Sequence, residues 1–386
     1  MDYDEAMREL SGEAESGAFS LGVEEEYFLV DIATGQVSHD TPESLFKEAS
    51  RRTEGRTEHE FLRAQAESVT RPCESLEQIR SELLFARREL SQVAARHGLA
   101  IAAAGTHPTA IWRGAASSDH ERYDRVMNEL QMIGERNMLC GMHVHVSLPD
   151  PNRRVEVMRR FLPFLPLFIA LAASSPFWTS RLTGLKGYRL AAYNELPRTG
   201  LPELFQGPED YQAYCAALVA AGAIPDASHL WWAIRPSHKF PTLELRAPDS
   251  CTRLDDAVAI AALYRALIRH LYLDPGCNQD VDAVARAVAV ENKWRAQRYG
   301  VQGSFATKEG PLTVGQFLDK LIALTAEDAQ ALGCANEILH CRSIVAGGSS
   351  ADRQIGIYRQ AGGDESPEAL KKVVDWIVTE TVGGVT

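Results

Sequence analysis

Residues 142–148 read Met142-His143-Val144-His145-Val146-Ser147-Leu148. Apolar and polar side chains alternate throughout, the period of an extended strand with one buried face. Met142, Val144, Val146 and Leu148 share the apolar face; His143, His145 and Ser147 share the other. Such a strand belongs to a sheet backed by helices on one side, with a polar second side. Residues 21–30 (LGVEEEYFLV) form another β-rich stretch, closed by turn chemistry from Asp31 to Gly35. Residues 59–70 (HEFLRAQAESVT) read as a second extended segment. Leu99 to Ala104 reads as a short apolar strand, and 229–235 and 242–247 as two more.

Helical patterns separate these strands. Ser75 and Gln78 have capping-box spacing, and Leu76, Ile79, Leu83, Ala86, Leu90 and Val93 follow at steps of three and four until Gly98. Helices are expected over 119–138, over 153–172 with disturbance by prolines, and over 209–222. Another is outlined from Ala257 to Leu271, and more over 280–297, 313–333, 351–361 and 367–381. Residues 174–208 read as a long irregular segment, a feature often tied to function. Neither GxGxxG nor GxxxxGK[ST] occurs, which weakens a Rossmann or P-loop reading. The expected class is α+β around a mostly antiparallel sheet. No repeat or composition break divides the chain, so 20–386 is expected to be a single domain. Residues 1–19, acidic and without the apolar segment of a signal peptide, are expected to be a flexible tail.

The chain has 386 residues and 40 Lys+Arg against 52 Asp+Glu, a formal charge of −12. That balance argues against coating nucleic acid or an anionic membrane. No apolar run approaches the ~20 residues of a membrane span; Phe161 to Ala173 is interrupted by Pro163 and Pro166. The seven cysteines are scattered without a CxxC pair, which suggests neither a thiolate zinc site nor a redox pair and fits a reducing, cytoplasmic setting.

Several strand segments carry acids or imidazoles where plain strands carry neutral residues. Glu24 and Glu26 are two apart and project from one face. Two carboxylates held that close repel unless a cation or a proton intervenes, although a solvated acidic edge would read the same in isolation. His143 and His145 can reach one site. Gln65 and Glu67 share a face, as do Glu244 and Arg246. Together these side chains describe a carboxylate-lined pocket of hard oxygen donors with histidine, suited to Mg2+ or Mn2+. Mg2+ usually accompanies phosphate and reverses the local electrostatics, so the pocket would take ATP. Cations for a transferring phosphoryl group are then needed; Arg235, Arg246 and the cluster Lys293, Arg295 and Arg298 are the candidates.

GVEEEYFLV, CGMHVHVSLP, SPFW, TGLKGYR, WWAIRPS, PTLELRAPDS, ENKWRAQRYG and ADRQ occur in this order from about residue 20 to residue 360. Together they resemble the carboxylate–amine ligase family, the YbdK-like branch of the type 2 glutamate–cysteine ligases. The resemblance implies a glutamine synthetase-like catalytic fold, a curved antiparallel sheet forming a funnel surrounded by helices. It implies ATP- and Mg2+-dependent (or Mn2+-dependent) joining of a carboxylate to an amine. By motif, Glu24, Glu26, Glu67, His143 and Glu244 would be metal ligands. Arg246 would face the nucleotide phosphates as a catalytic residue alongside Glu26, with Lys293 and Arg298 also on the nucleotide. Arg235 and His145 would contact substrate. Glu60 is left out, because alternation along one strand puts it opposite Glu67. Small amino-acid-like substrates are the implied partners and a homodimer the implied assembly. A guanidino-kinase-like phosphotransferase, a metal-dependent hydrolase and a catalytically degenerate nucleotide-binding protein remain open. The hydrolase lacks its HExxH motif here.

Overall fold

Eleven residues of uninterrupted strand, β1 (Leu21–Asp31), organise the chain because both of their edges are paired. The computed structural model describes residues 17–113, 115, 117–118 and 121–383. After β1 come β2 (Thr57–His59), β3 (Gln65–Val69), β4 (Leu99–Ala102), β5 (Met142–Ser147), the small pair β6 (Phe177–Trp178) and β7 (Arg181–Leu182), β8 (Ile234–Pro236), β9 (Thr242–Leu245), and the hairpin β10 (Ser304–Thr307) and β11 (Gly310–Thr313). The helices are α1 (Glu43–Arg52), α2 (Leu76–Arg96), α3 (Glu121–Leu130), α4 (Met132–Glu135), α5 (Arg154–Phe161), α6 (Leu165–Ala172), α7 (Tyr188–Tyr193), α8 (Pro208–Ala220), α9 (Leu254–Leu273), α10 (Ala283–Tyr299), α11 (Val314–Leu324), α12 (Ala326–Ala331), α13 (Ala335–Gly347), α14 (Ser350–Gln360) and α15 (Pro367–Thr381). None of them is long and apolar enough to cross a membrane.

The main sheet runs β2-β3-β1-β5-β9-β8, and β4 pairs with the end of β1 that lies beyond β5. Its strand pairings are antiparallel, as expected. The curved funnel is not what forms. Curling a sheet closed requires its two edge strands to meet, and here β2 and β8 stand at opposite ends of the order. Each edge is three residues long, which keeps the exposed pairing groups few. The sheet is open.

Alternation along the strands gives this sheet two different faces. Leu21, Val23, Val144, Val146, Leu243 and Leu245 point into one core cluster with Leu83 of α2 and Ile260, Leu263 and Leu267 of α9. Glu25, on the same face, is fully buried in an ion pair with Arg87 of α2. The second face carries Phe28 and Val30, packed with Phe61, Phe177 and the Leu370, Val373 and Val374 side of α15. Glu24 and Glu26 continue that second face toward the other end of β1.

Local signals account for most elements. Ser75 and Gln78 form the capping box of α2, with Ser75 Oγ accepting from Gln78 N. Gly98 takes φ 72° where the chain turns from α2 into β4, a region that favours glycine. The helix expected over 153–172 breaks into α5 and α6 around Pro163, which cannot donate in a helix interior. The segment 174–208 is not wholly irregular: it contains the β6–β7 pair and α7. Residues 59–70 are not one strand either. The chain reverses between β2 and β3, with Glu60 N donating to Gln65 O and Gln65 N to Leu62 O. Of the expected tail, 1–16 lie outside the described residues, and Phe19 is buried in the core against Tyr272.

Candidate functional site

Strand register brings the acids together. Glu24 lies opposite His143, Glu26 opposite Glu67, and His145 opposite Glu244, which is itself opposite Arg235. Side chains directly across a sheet share a face, so β3, β1, β5 and β9 present one contiguous polar surface. Within it, three sets of donor atoms lie within 4.8 Å of one another: Glu24, Glu67 and His143; Glu24, His145 and Glu244; and Glu26, Glu60 and Glu67. Like charges about 4 Å apart repel by about 4 kcal/mol at an effective dielectric of 20. The carboxylates cannot all stay ionised beside each other without positive charge among them.

The ionisation states follow from that crowding. Burial, then the neighbouring Glu26 carboxylate, pushes the Glu60 carboxyl up to about 8. Burial together with Glu24, Glu60 and Glu26 holds Glu67 well above the usual carboxylate range. Burial would also raise Glu24, but His145 and His143 outweigh it and keep that group ionised. His143 Nδ1 lies 2.8 Å from Glu24 Oε2, and His145 Nε2 lies 3.2 Å from Glu24 Oε1. Burial, then Arg246, lowers the His143 pKa; for His145, burial is overcome by Glu24 and the pKa rises. Glu244 resists burial because Arg235 and Arg246 flank it, and stays far below the usual carboxylate range.

These residues fit a divalent cation. Among the described residues, His143 Nε2 is buried without a hydrogen-bond partner, an uncommon and costly state for an imidazole nitrogen, while His145 Nε2 faces Glu24 Oε1. Both belong to sets whose remaining donors are carboxylate oxygens, the hard ligands preferred by Mg2+ and Mn2+.

Comparisons with known proteins give the family. The model of the family described as glutamate-cysteine ligase family 2 matches residues 20–375. The chain belongs to that family. A protein of Bradyrhizobium diazoefficiens provisionally named glutamate–cysteine ligase 2 is 54% identical over 98% of this chain and 88% of its own length. A relative from Rhodospirillum rubrum under the same provisional name is 44% identical over 95% of this chain and 96% of its own. Among solved structures, a glutamate–cysteine ligase of Francisella tularensis in complex with AMP superposes with a TM-score of 0.70 at 12% identity, covering 96% of this chain and 92% of that one. A bifunctional glutathione synthetase of Pasteurella multocida gives 0.72 at 16% identity, over 95% of this chain and 52% of that one. This chain thus spans about half of the bifunctional enzyme. These two likenesses bear on fold alone. By its family, this chain is an ATP-dependent carboxylate–amine ligase that forms a carbon–nitrogen bond.

The ligase gathers Glu24, Glu26, Glu67, His143, His145, Glu244 and Arg246 at one place. Arg246 is bonded to Glu244; burial would lower its pKa, but Glu244 and Tyr193 at the end of α7 together outweigh burial and raise it. The other expected cations are placed differently. Arg235 closes its fork on Glu244 at 2.8 and 3.2 Å and gives Nη1 to the carbonyls of Ser228 and Leu230, so its donors brace Glu244 rather than face an open pocket. Lys293 of α10 is buried with its Nζ 3.3 Å from Asn194 Oδ1, next in sequence to Tyr193, and burial lowers its pKa to about 8. Arg298 is exposed and donates to Gly184 O, away from the cluster, and Arg295 holds Ser304 in the β10 strand.

Glu60 is the acid that alternation excluded and the fold includes. Its side chain reaches Glu67 because the chain reverses between them, which resets the parity. The turn, Glu60-Phe61-Leu62-Arg63-Ala64, contains no Gly, Pro, Asn or Asp to announce it.

Proposed function

We propose that this ligase binds ATP with Mg2+ or Mn2+ on the open face of the sheet and activates an amino-acid carboxylate, such as that of glutamate, as an acyl phosphate. An amine, such as that of cysteine, then captures it as an amide. The observation that carries this reading is the convergence of acids and imidazoles from β3, β1, β5 and β9 into three adjoining donor sets. Glu24, Glu67 and His143 would hold one cation, Glu24, His145 and Glu244 a second, and Glu26, Glu60 and Glu67 a third. Cations there supply Lewis-acid stabilisation of phosphoryl oxygens.

A free carboxylate is a poor electrophile, and phosphorylation gives it a leaving group. A carboxylate oxygen attacks the γ-phosphorus and the bond to the ADP oxygen breaks. The amine nitrogen next attacks the acyl carbon, the carbon–oxygen bond to phosphate breaks, and the ammonium proton leaves to solvent. Arg246 brings a permanent cation to the edge of the cluster, where charge accumulates on the phosphoryl group. Lys293, buried with its Nζ on Asn194 Oδ1, is the second cation at hand on that side. The glutamates act as ligands rather than nucleophiles, so no covalent enzyme intermediate forms.

A screen of ATP consumption over pairs of amino acids, with products identified by mass, tests the reading. It predicts one phosphate released per amide formed. Transfer of phosphate to the amine with no free phosphate would instead make the protein a phosphotransferase. Glu26→Ala and Glu244→Ala should stay folded and lose more than about 100-fold in turnover, beyond the usual loss on removing an outer-shell partner. Full turnover in either variant removes that residue from the site.

A further inference from the structure

Arg189 of α7 is 3% exposed, yet its side-chain hydrogen bonds go to main-chain carbonyls of the site strands' own connections. Nη1 donates to Arg246 O at 3.3 Å and to Pro248 O at 3.1 Å. The Arg189 main-chain N donates to Ser175 Oγ, and that hydroxyl donates to Asp249 Oδ2 at 2.6 Å. The guanidinium also lies 5.6 Å over the ring of Tyr193, which is bonded to the Arg246 side chain.

Gly141 makes the second link. Glu26 N donates to Gly141 O at 3.1 Å, and Gly141 N donates back to the Glu26 carboxylate. Two residues before His143, a side chain at 141 would rise from the same sheet face as the cluster. Arg189 occupies that space: a Cβ on Gly141 would sit inside the guanidinium, 2.6 Å from Cζ. The missing side chain of Gly141 leaves room for this guanidinium, which stands where β5 would otherwise carry its next side chain.

We infer that Arg189 is a positioning residue of the ligase, fixing the main chain that carries Arg246 and, through Gly141, the carboxylate of Glu26. This rests on the proposed metal role of Glu26. Charge and position act in opposite directions here, which makes the inference decidable. Deleting a cation beside a cation site strengthens binding by relieving Coulomb repulsion. Losing the geometry of a ligand weakens it, typically ~10–100-fold for a residue that orients a ligand.

The test is titration of the purified full-length protein with Mn2+ alone, followed by electron paramagnetic resonance, with the thermal midpoint of the metal-free protein measured alongside. Arg189→Lys, Arg189→Met and Gly141→Ala are compared with Arg160→Lys. Arg160 is an equally buried arginine that donates to the carbonyls of Asp274 and Cys277. Gly141→Ala keeps every charge and displaces only the guanidinium, so it remains informative if an Arg189 variant fails to fold. The inference expects all three site variants to weaken Mn2+ binding ~10–100-fold, with Arg160→Lys losing thermal stability at unchanged affinity. Mn2+ binding as tight as wild type in Gly141→Ala, or tighter in Arg189→Met, overturns it. Wild-type protein that binds no Mn2+ overturns the metal reading itself; wild-type binding with unaffected variants overturns the positioning role alone.

Discussion

At the scale of single residues, Glu60 ties the site's electrostatics to the stability of the whole chain. Its folded pKa, about 8, lies above the ordinary carboxylate value of about 4.3. The folded protein therefore holds a proton that the unfolded chain has released. The resulting stability is complete below pH ~4.3 and is lost as pH rises through about 8. In the metal-free protein, Glu60→Gln should flatten the fall of the thermal midpoint between pH 5 and pH 8. Parallel curves for wild type and variant would show that Glu60 is not protonated in the fold. The same proton must leave when a cation enters, so Mg2+ affinity should climb over this range with proton release, measurable by calorimetry in buffers of different ionisation enthalpy. On the opposite face, Arg87 gives Nε and Nη2 to Glu25 and its remaining donors to the carbonyls of Cys251, Thr252 and Thr381. Arg87→Met leaves the Glu25 carboxylate in the core without its countercharge, bonded still by the Tyr27 hydroxyl, and should cost about 3–5 kcal/mol in denaturant unfolding. A loss under 1 kcal/mol would mean that Glu25 is solvated or neutral.

Secondary-structure elements show why some of the site can be read from residue order and some cannot. β5 is legible because its alternation is strict: parity assigns His143 and His145 to one face whatever the partner strands turn out to be. β1 is legible by the same rule, and register then carries Glu24 to His143 without any further signal. The rule fails at Glu60, since parity survives only while the chain runs straight. It has nothing to offer for Arg189, whose place depends on Gly141 and Asp249, both distant in sequence. Arg235, expected on the substrate, is instead held by Glu244, its cross-strand partner, which residue order alone does not reveal. The expected funnel failed for a related reason: curvature and closure are properties of edges, and three-residue edges such as β2 and β8 leave little pattern. Caps are more local and easier to read. Ser75→Ala should cost α2 about 0.5–2 kcal/mol, seen as a lower midpoint in urea at unchanged slope. An unchanged midpoint would mean that packing of Ile79, Leu83 and Leu90 alone holds the helix.

Across the whole molecule, the sheet separates two jobs. One face is packed against α2 and α9 and buries the Glu25–Arg87 pair among mostly apolar side chains. The other keeps acids that would be costly to bury unless a cation joined them. The buried Nε2 of His143, without a hydrogen-bond partner among the described residues, marks where that cation would sit. The family's ligase activity then follows from an ordinary antiparallel scaffold that carries a dense acidic patch on one face. Crystals soaked in Mn2+ with a non-hydrolysable ATP analogue, measured for anomalous scattering at the manganese edge, bear on this most directly. The account predicts anomalous peaks among Glu24, Glu67 and His143 and among Glu24, His145 and Glu244, with the nucleotide's phosphates against them. Manganese bound elsewhere on the protein, with these side chains left as they are, would contradict it.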